Sequence, residues 1–122
     1  MLKYFEHKHE VCALTDLCDK GTKDVDWMRK IIAKWGSSVV ALCGDGRIIK
    51  NKVERKVLKE CNLMFVHLAP GWTNLDWPMW GWKIIKVWPN IVEQVEQAPC
   101  PMLFEVKVGS LKVLAISRIS AL

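Results

Sequence analysis

Residues 39–68 read VVALCGDGRIIKNKVERKVLKECNLMFVHL, and their pattern decides the fold. Residues 39–43 (VVALC) form a β-branched apolar run that stops at Gly44-Asp45-Gly46. A run without polar alternation suits a strand buried on both faces, as in a parallel sheet. Asn51 follows, with Glu54 three residues on, the spacing of a helix N-cap and its capping box. Val53, Val57, Leu58 and Cys61 then share one apolar helix face. Residues 63–68 (LMFVHL) are a second run of strand length. Strand, helix, strand in this order predicts a parallel pair with a right-handed crossover.

Towards the N-terminus, residues 10–15 (EVCALT) read as a further strand, closed by the polar stretch 16–23. Thr22 is placed to cap a helix whose first turn holds Asp24 and Asp26, where the helix dipole favours acids. Val25, Met28, Ile31, Ile32 and Trp35 recur at helical spacing, and Gly36 stops the helix. Residues 10–68 are thus expected to form a βαβαβ core.

Towards the C-terminus, Pro70-Gly71 marks a turn and Asp76 can cap a Trp-rich helix over residues 75–97. Trp77, Trp80, Ile84, Val87 and Ile91 form its apolar stripe, and Pro89 should kink or restart it. Residues 102–108 and 111–116 flank Gly109-Ser110, which suits a two-residue type II′ hairpin. The whole reads as one α/β domain: a mostly parallel sheet, then a helix and a β-hairpin over residues 102–116.

Composition narrows the classes. With 51% apolar and 25% charged residues in 122, disorder and fibrous architectures are excluded. A net charge of +5 permits a phosphate-bearing partner without demanding one. Residues 1–10 (MLKYFEHKHE) hold no apolar signal-peptide core. The longest uncharged run, 61–75, is interrupted and too short to span a bilayer, so no membrane association is expected. The five cysteines are irregularly spaced with no CxxC, which reads as reduced thiols in the cytoplasm.

Two acids stand where ligands of open α/β sheets bind, at the carboxyl ends of strands. Asp45 directly follows a strand between two glycines, and Asp24 begins the helix after the preceding strand. Two carboxylates at one sheet edge could share a hard divalent ion such as Mg²⁺. The alternative is that Asp24 serves only the helix dipole and Asp45 only a turn. Asp26 points to another helix face, and Glu54 has a capping role that could suffice, although it could also reach the same edge. Arg47, Lys50, Lys52, Arg55, Lys56 and Lys59 form the densest basic cluster. Such a cluster can hold an RNA strand beside an acidic site or simply be a solvated face. His7 and His9 lack a third ligand, His67 reads as a core histidine, and the tryptophans read as packing, with base stacking as the alternative.

GTKDVDW (residues 21–27), GDGRI (44–48), Glu54, LAPGW (68–72) and WKIIKVWP (82–89), in this order, resemble the PIN-like domain of VapC-type toxins. The resemblance runs over residues 10–108. It implies a three-layer α/β/α fold, an acid cluster holding Mg²⁺ or Mn²⁺, RNA cleavage by metal-activated water, and a partner antitoxin. By the same resemblance, Asp24 and Asp45 match metal-holding acids and Glu54 matches a recurrent acid; from the basic cluster itself, Arg47, Lys52, Arg55, Lys56 and Lys59 are candidates for RNA binding. The family's first strand, ending in Asp, has no counterpart here, because residues 1–5 match the end of the helix that follows it. The expectation is therefore an N-terminally truncated domain with reduced or no ribonuclease activity. It would bind an antitoxin or self-associate through an open sheet edge or the Trp-rich helix.

Overall fold

The computed structural model describes residues 10–44 and 46–122. Its elements are α1 (Leu14–Leu17), α2 (Asp24–Trp35), β1 (Val40–Cys43), α3 (Arg47–Lys50), α4 (Lys52–Cys61), β2 (Met64–Leu68), α5 (Trp77–Gln97), β3 (Met102–Val106) and β4 (Val113–Arg118). The strands make one sheet in the order β1-β2-β3-β4. β1, β2 and β3 run parallel, and β4 returns antiparallel to β3. This is an α/β fold with a mostly parallel sheet.

Local chemistry accounts for the helix ends. The Asn51 side chain accepts hydrogen bonds from the backbone N–H groups of Val53 (2.9 Å) and Glu54 (3.3 Å), which fixes the start of α4. Asn62 closes the same helix in the left-handed region, φ 49°, a conformation asparagine tolerates better than most residues. Strand alternation then divides the core in two. Phe65 and Leu103 point to one face, with Trp27, Met28, Ile31, Ile48, Val57 and Leu58. Val66, Phe104 and Val106 point to the other, with Trp72, Val87 and Ile91. The sheet therefore lies between α2, α3 and α4 on one side and α5 on the other, the three-layer arrangement expected.

Four expectations are corrected. Residues 11–13 are not in a strand, and Leu14–Leu17 is a short helix instead. Val11 is 62% exposed, and no described strand offers this segment a ladder. The chain then turns helical at Leu14, where the Cys18 N–H bonds the Leu14 carbonyl at 2.9 Å. The core of the fold is thus αβαβ, with β3 as the third parallel strand. Thr22 does not cap α2: its hydroxyl donates to the Asp19 carbonyl at 2.6 Å, and Lys23 takes the capping position. α5 is one helix through Pro89. The hairpin connection is six residues, 107–112, rather than two, because Val106 pairs with Val113. Its turn closes by the Ser110 N–H on the Lys107 carbonyl at 3.1 Å.

β1 forms one edge of the described sheet. Among the described residues β1 pairs with β2 alone. Its sequence, VALC, carries no charge or proline, the usual guards of an edge strand, and Leu42 is 38% exposed.

Phe65, fully buried on β2 beneath α2 and α4, sets the packing of that face. Phe65→Ala is expected to lower the unfolding free energy by about 3–5 kcal/mol, read as a drop in the urea midpoint. Val53→Ala, on the 65% exposed flank of α4, should change it by less than about 0.5 kcal/mol.

Candidate functional site

The first turns of α2 and α4 and the short helix α3 enclose an open cleft. Its larger part, about 580 Å³, is lined by Thr22, Lys23, Asp24, Val25, Arg47, Asn51, Val53 and Glu54. An adjoining part of about 440 Å³ shares Asp24, Arg47, Asn51 and Glu54 and adds Lys50. Two acids and three basic side chains, Lys23, Arg47 and Lys50, thus line one depression.

Each acid is placed by a specific contact. The indole Nε1–H of Trp27 donates to Asp24 Oδ1 at 2.7 Å. Trp27 is 5% exposed and belongs to the core beneath α2, so the core itself orients the Asp24 carboxylate. Asp26, two residues on, is exposed and lines neither part of the cleft. Glu54 follows the Asn51 cap, but only one arm of the capping box is needed. The Asn51 N–H that the Glu54 carboxylate would accept already donates to the Arg47 carbonyl at 2.8 Å. The Glu54 side chain lines the cleft instead.

The segment after β1 approaches its neighbours closely. A Cβ at Gly46 would lie 3.3 Å from His67 Nε2, and one at Gly44 would lie 3.4 Å from the Thr73 methyl. Glycine permits this approach. His67, on β2, therefore packs against the segment that leads into α3. It is half-buried at the sheet's carboxyl edge rather than enclosed in the core. Asp45 lies outside the described residues, as do His7 and His9.

Of the expected site residues, the structure brings Asp24, Glu54 and Arg47 together. Lys52, Lys56 and Lys59 are exposed along α4 and Arg55 is half-buried, and none of these four lines the cleft. Lys50 and Asn51 do line it. The Trp27 contact was not anticipated, although its three-residue spacing from Asp24 is the signal that could have found it. Two carboxylates in an open polar cleft are hard oxygen donors, and that chemistry fits a cation such as Mg²⁺, which takes few protein ligands and keeps several waters. Among the described residues no three Asp, Glu, His or Cys side chains gather as a ready-made metal cluster.

A family model described as PIN like domain matches residues 1–70, more than half of the chain and every residue lining the cleft. The chain belongs to the PIN-like domain family. No curated protein and no solved structure matches it. The matched part of this PIN-like domain ends just before Trp72, yet α5, β3 and β4 continue the same sheet.

The remaining candidates stand apart from the cleft. No disulfide joins the five cysteines, and burial pushes the Cys61 thiol above its ordinary value, with Glu60 adding to this and Arg29 opposing it. Such a thiol stays protonated near neutral pH, and no cysteine lines the cleft. Among the described residues no helix is long and apolar enough to cross a membrane.

Trp27→Phe keeps most of the buried ring and deletes its donor. It is expected to cost about 1.5–2 kcal/mol, the lower part of the range for a hydrogen bond to a charged group. The indole N–H resonance missing from the ¹H–¹⁵N spectrum of that variant should move on Asp24→Asn, while the Trp72 indole resonance stays in place.

Proposed function

We propose that this PIN-like domain is a VapC-type, metal-dependent endoribonuclease whose site is the cleft between α2, α3 and α4. The observation that carries the reading is the meeting of Asp24 and Glu54 with Arg47 and Lys50 in one open depression. Asp45 is the third acid of the proposal, assigned by the family resemblance of GDGRI and by its place two residues before Arg47.

In this reading Asp24, Asp45 and Glu54 hold the ion. A bound Mg²⁺ or Mn²⁺ would polarise the scissile phosphate and lower the pKa of an attacking water. The chain's own residues do the rest. Trp27 fixes the Asp24 carboxylate through one oxygen and leaves the other to the cleft. Arg47 and Lys50 offset the charge of a phosphodiester entering beside the acids. Lys52, Arg55, Lys56 and Lys59 extend positive charge along α4 and would hold the flanking RNA backbone without sequence preference. The site sits on the first turns of helices, where backbone N–H groups favour anions.

A second reading has one observation in its favour, the unguarded edge of β1. We propose that this edge accepts a strand, from an antitoxin or from a second copy. The chain alone would then be a poor nuclease, because β1 leads directly into the segment that carries Asp45. A cytoplasmic location accompanies both readings.

The test is an RNA-cleavage assay with Mn²⁺ and Mg²⁺ on the 122-residue chain, paired with Mn²⁺ binding. The chain alone should bind Mn²⁺ and cleave single-stranded RNA slowly. Asp24→Asn and Asp45→Asn should each reduce cleavage by about 10²-fold or more, the scale on which misplacing a reacting group acts. Cleavage unchanged in both variants would refute the site.

A further inference from the structure

α5 is far longer than the strands it covers. Its 21 residues span about 31 Å at the α-helical rise, whereas a five-residue strand spans about 17 Å. Its fully buried residues, Val87, Ile91 and Val92, begin only at its midpoint. The helix connects two parallel strands, so its N-terminus lies at the carboxyl edge of the sheet, the edge that bears the cleft. The overhanging N-terminal turns therefore project there.

Three indoles build outward on this overhang. Trp72 is 1% exposed, and its Nε1–H donates to the Val106 carbonyl at 3.0 Å. Trp80 meets it edge-on, with ring centroids 6.3 Å apart at 76°. Trp77 stacks on Trp80 at 5.8 Å and 14°, yet is itself 76% exposed. The inner rings hold the outer one in place, so its free face is presented to solvent already ordered. The base of the tower stands beside the segment that follows β1, because the methyl of Thr73, next to Trp72, lies 3.4 Å from the Cβ position of Gly44.

We propose that the outer face of Trp77 stacks an unpaired nucleobase of a single-stranded RNA whose backbone enters the cleft. This rests on the reading of the cleft as an RNA site. Two nearly parallel indoles are the start of a stack that a third planar ring extends, and base–aromatic stacking tolerates any base. The charge around the tower suits a polyanion. Between Asp76 and Glu93, α5 carries Lys83 and Lys86 and no acid. Lys83 Nζ reaches the Val108 carbonyl at 3.4 Å, and Val108 packs against Gly71, next to Trp72. RNA crossing the carboxyl edge would meet cations in the cleft and an indole face beyond it.

Fluorescence anisotropy with a short unstructured RNA, in EDTA, tests this without reference to cleavage. Trp77→Ala should weaken binding by roughly 5- to 150-fold, and Trp77→Phe should retain most of it. The full chain should bind the single strand more tightly than a duplex of equal length. Binding by Trp77→Ala equal to the wild type, no measurable binding by the wild type, or preference for the duplex overturns the proposal. So does a result in which Trp77→Ala changes only the sedimentation of the protein, which would make this face a contact between copies. RNA binding that depends on Trp77 without any cleavage refutes the nuclease reading and leaves the platform standing. Cleavage with binding indifferent to Trp77 does the reverse.

Discussion

The bond from the Trp27 indole to Asp24 joins the packing of this domain to its site. The ring sits in the core with Met28, Ile48 and Leu58, so it ties α2 to α3 and α4. Its single polar atom faces an acid at the start of α2. A buried indole N–H needs a partner, since an unpaired one costs about 1–3 kcal/mol, and Asp24 supplies it. The same contact removes rotamer freedom from a carboxylate that lines the cleft. Stability and site geometry here draw on one interaction, and any change that lets α2 slide over α4 disturbs both.

The second arm of the site depends on a hydrogen bond that is not made. In a full capping box Glu54 would turn back to the Asn51 N–H. The short helix α3 ends immediately before Asn51, and its Arg47 carbonyl takes that N–H first. Asn51 still caps α4 through its side chain. The compact sequence of α3, Asn51 and α4 therefore places Glu54 in the lining of the cleft. Four residues of α3 also bring Arg47 and Lys50 to the same opening while burying Ile48 completely. A longer connection could satisfy the backbone in other ways and would leave these charges unplaced.

Much of this was legible in the sequence, for reasons that can be named. The apolar runs at 40–43 and 64–68 lack polar alternation, and the second is buried on both faces while the first keeps Leu42 partly exposed, so composition alone marks them as parallel strands. α2 and α4 have strong stripes, and both were placed within a residue or two. Asp24 and Glu54 could be singled out because helix starts beside strand ends are where α/β sheets bind ligands, and both line the same cleft. Contacts between distant segments were hidden. Nothing local shows that the hairpin joins the main sheet through β3, since that pairing is made across α5. Trp77 fits the helical stripe of α5 yet is exposed, because periodicity gives direction around a helix and not whether a sheet lies beneath it. The hairpin turn failed similarly: Gly109 marks a turn, but the register that sets its length is fixed by Val106 and Val113.

The misreading of residues 11–14 and the bare edge of β1 have a common physical origin. A β-branched or apolar run is a strand only when a neighbouring strand accepts its backbone groups, because unpaired N–H and C=O groups are costly once buried. Residues 11–13 have no such neighbour among the described residues, so Val11 stays in water and the chain turns helical at Leu14. β1 is held on one side by β2, and among the described residues no second strand pairs with it. Both segments flank α2, the helix that carries Asp24, and β1 runs directly into the segment that precedes Arg47. Whatever pairs with that edge would stiffen the strand on which the turn at Gly44 depends. The two described acids come from helix starts that the Trp27 core holds together, whereas the segment between β1 and Arg47 takes its position from the strand it follows. The cleft thus borders both the helix packing and the edge of the sheet.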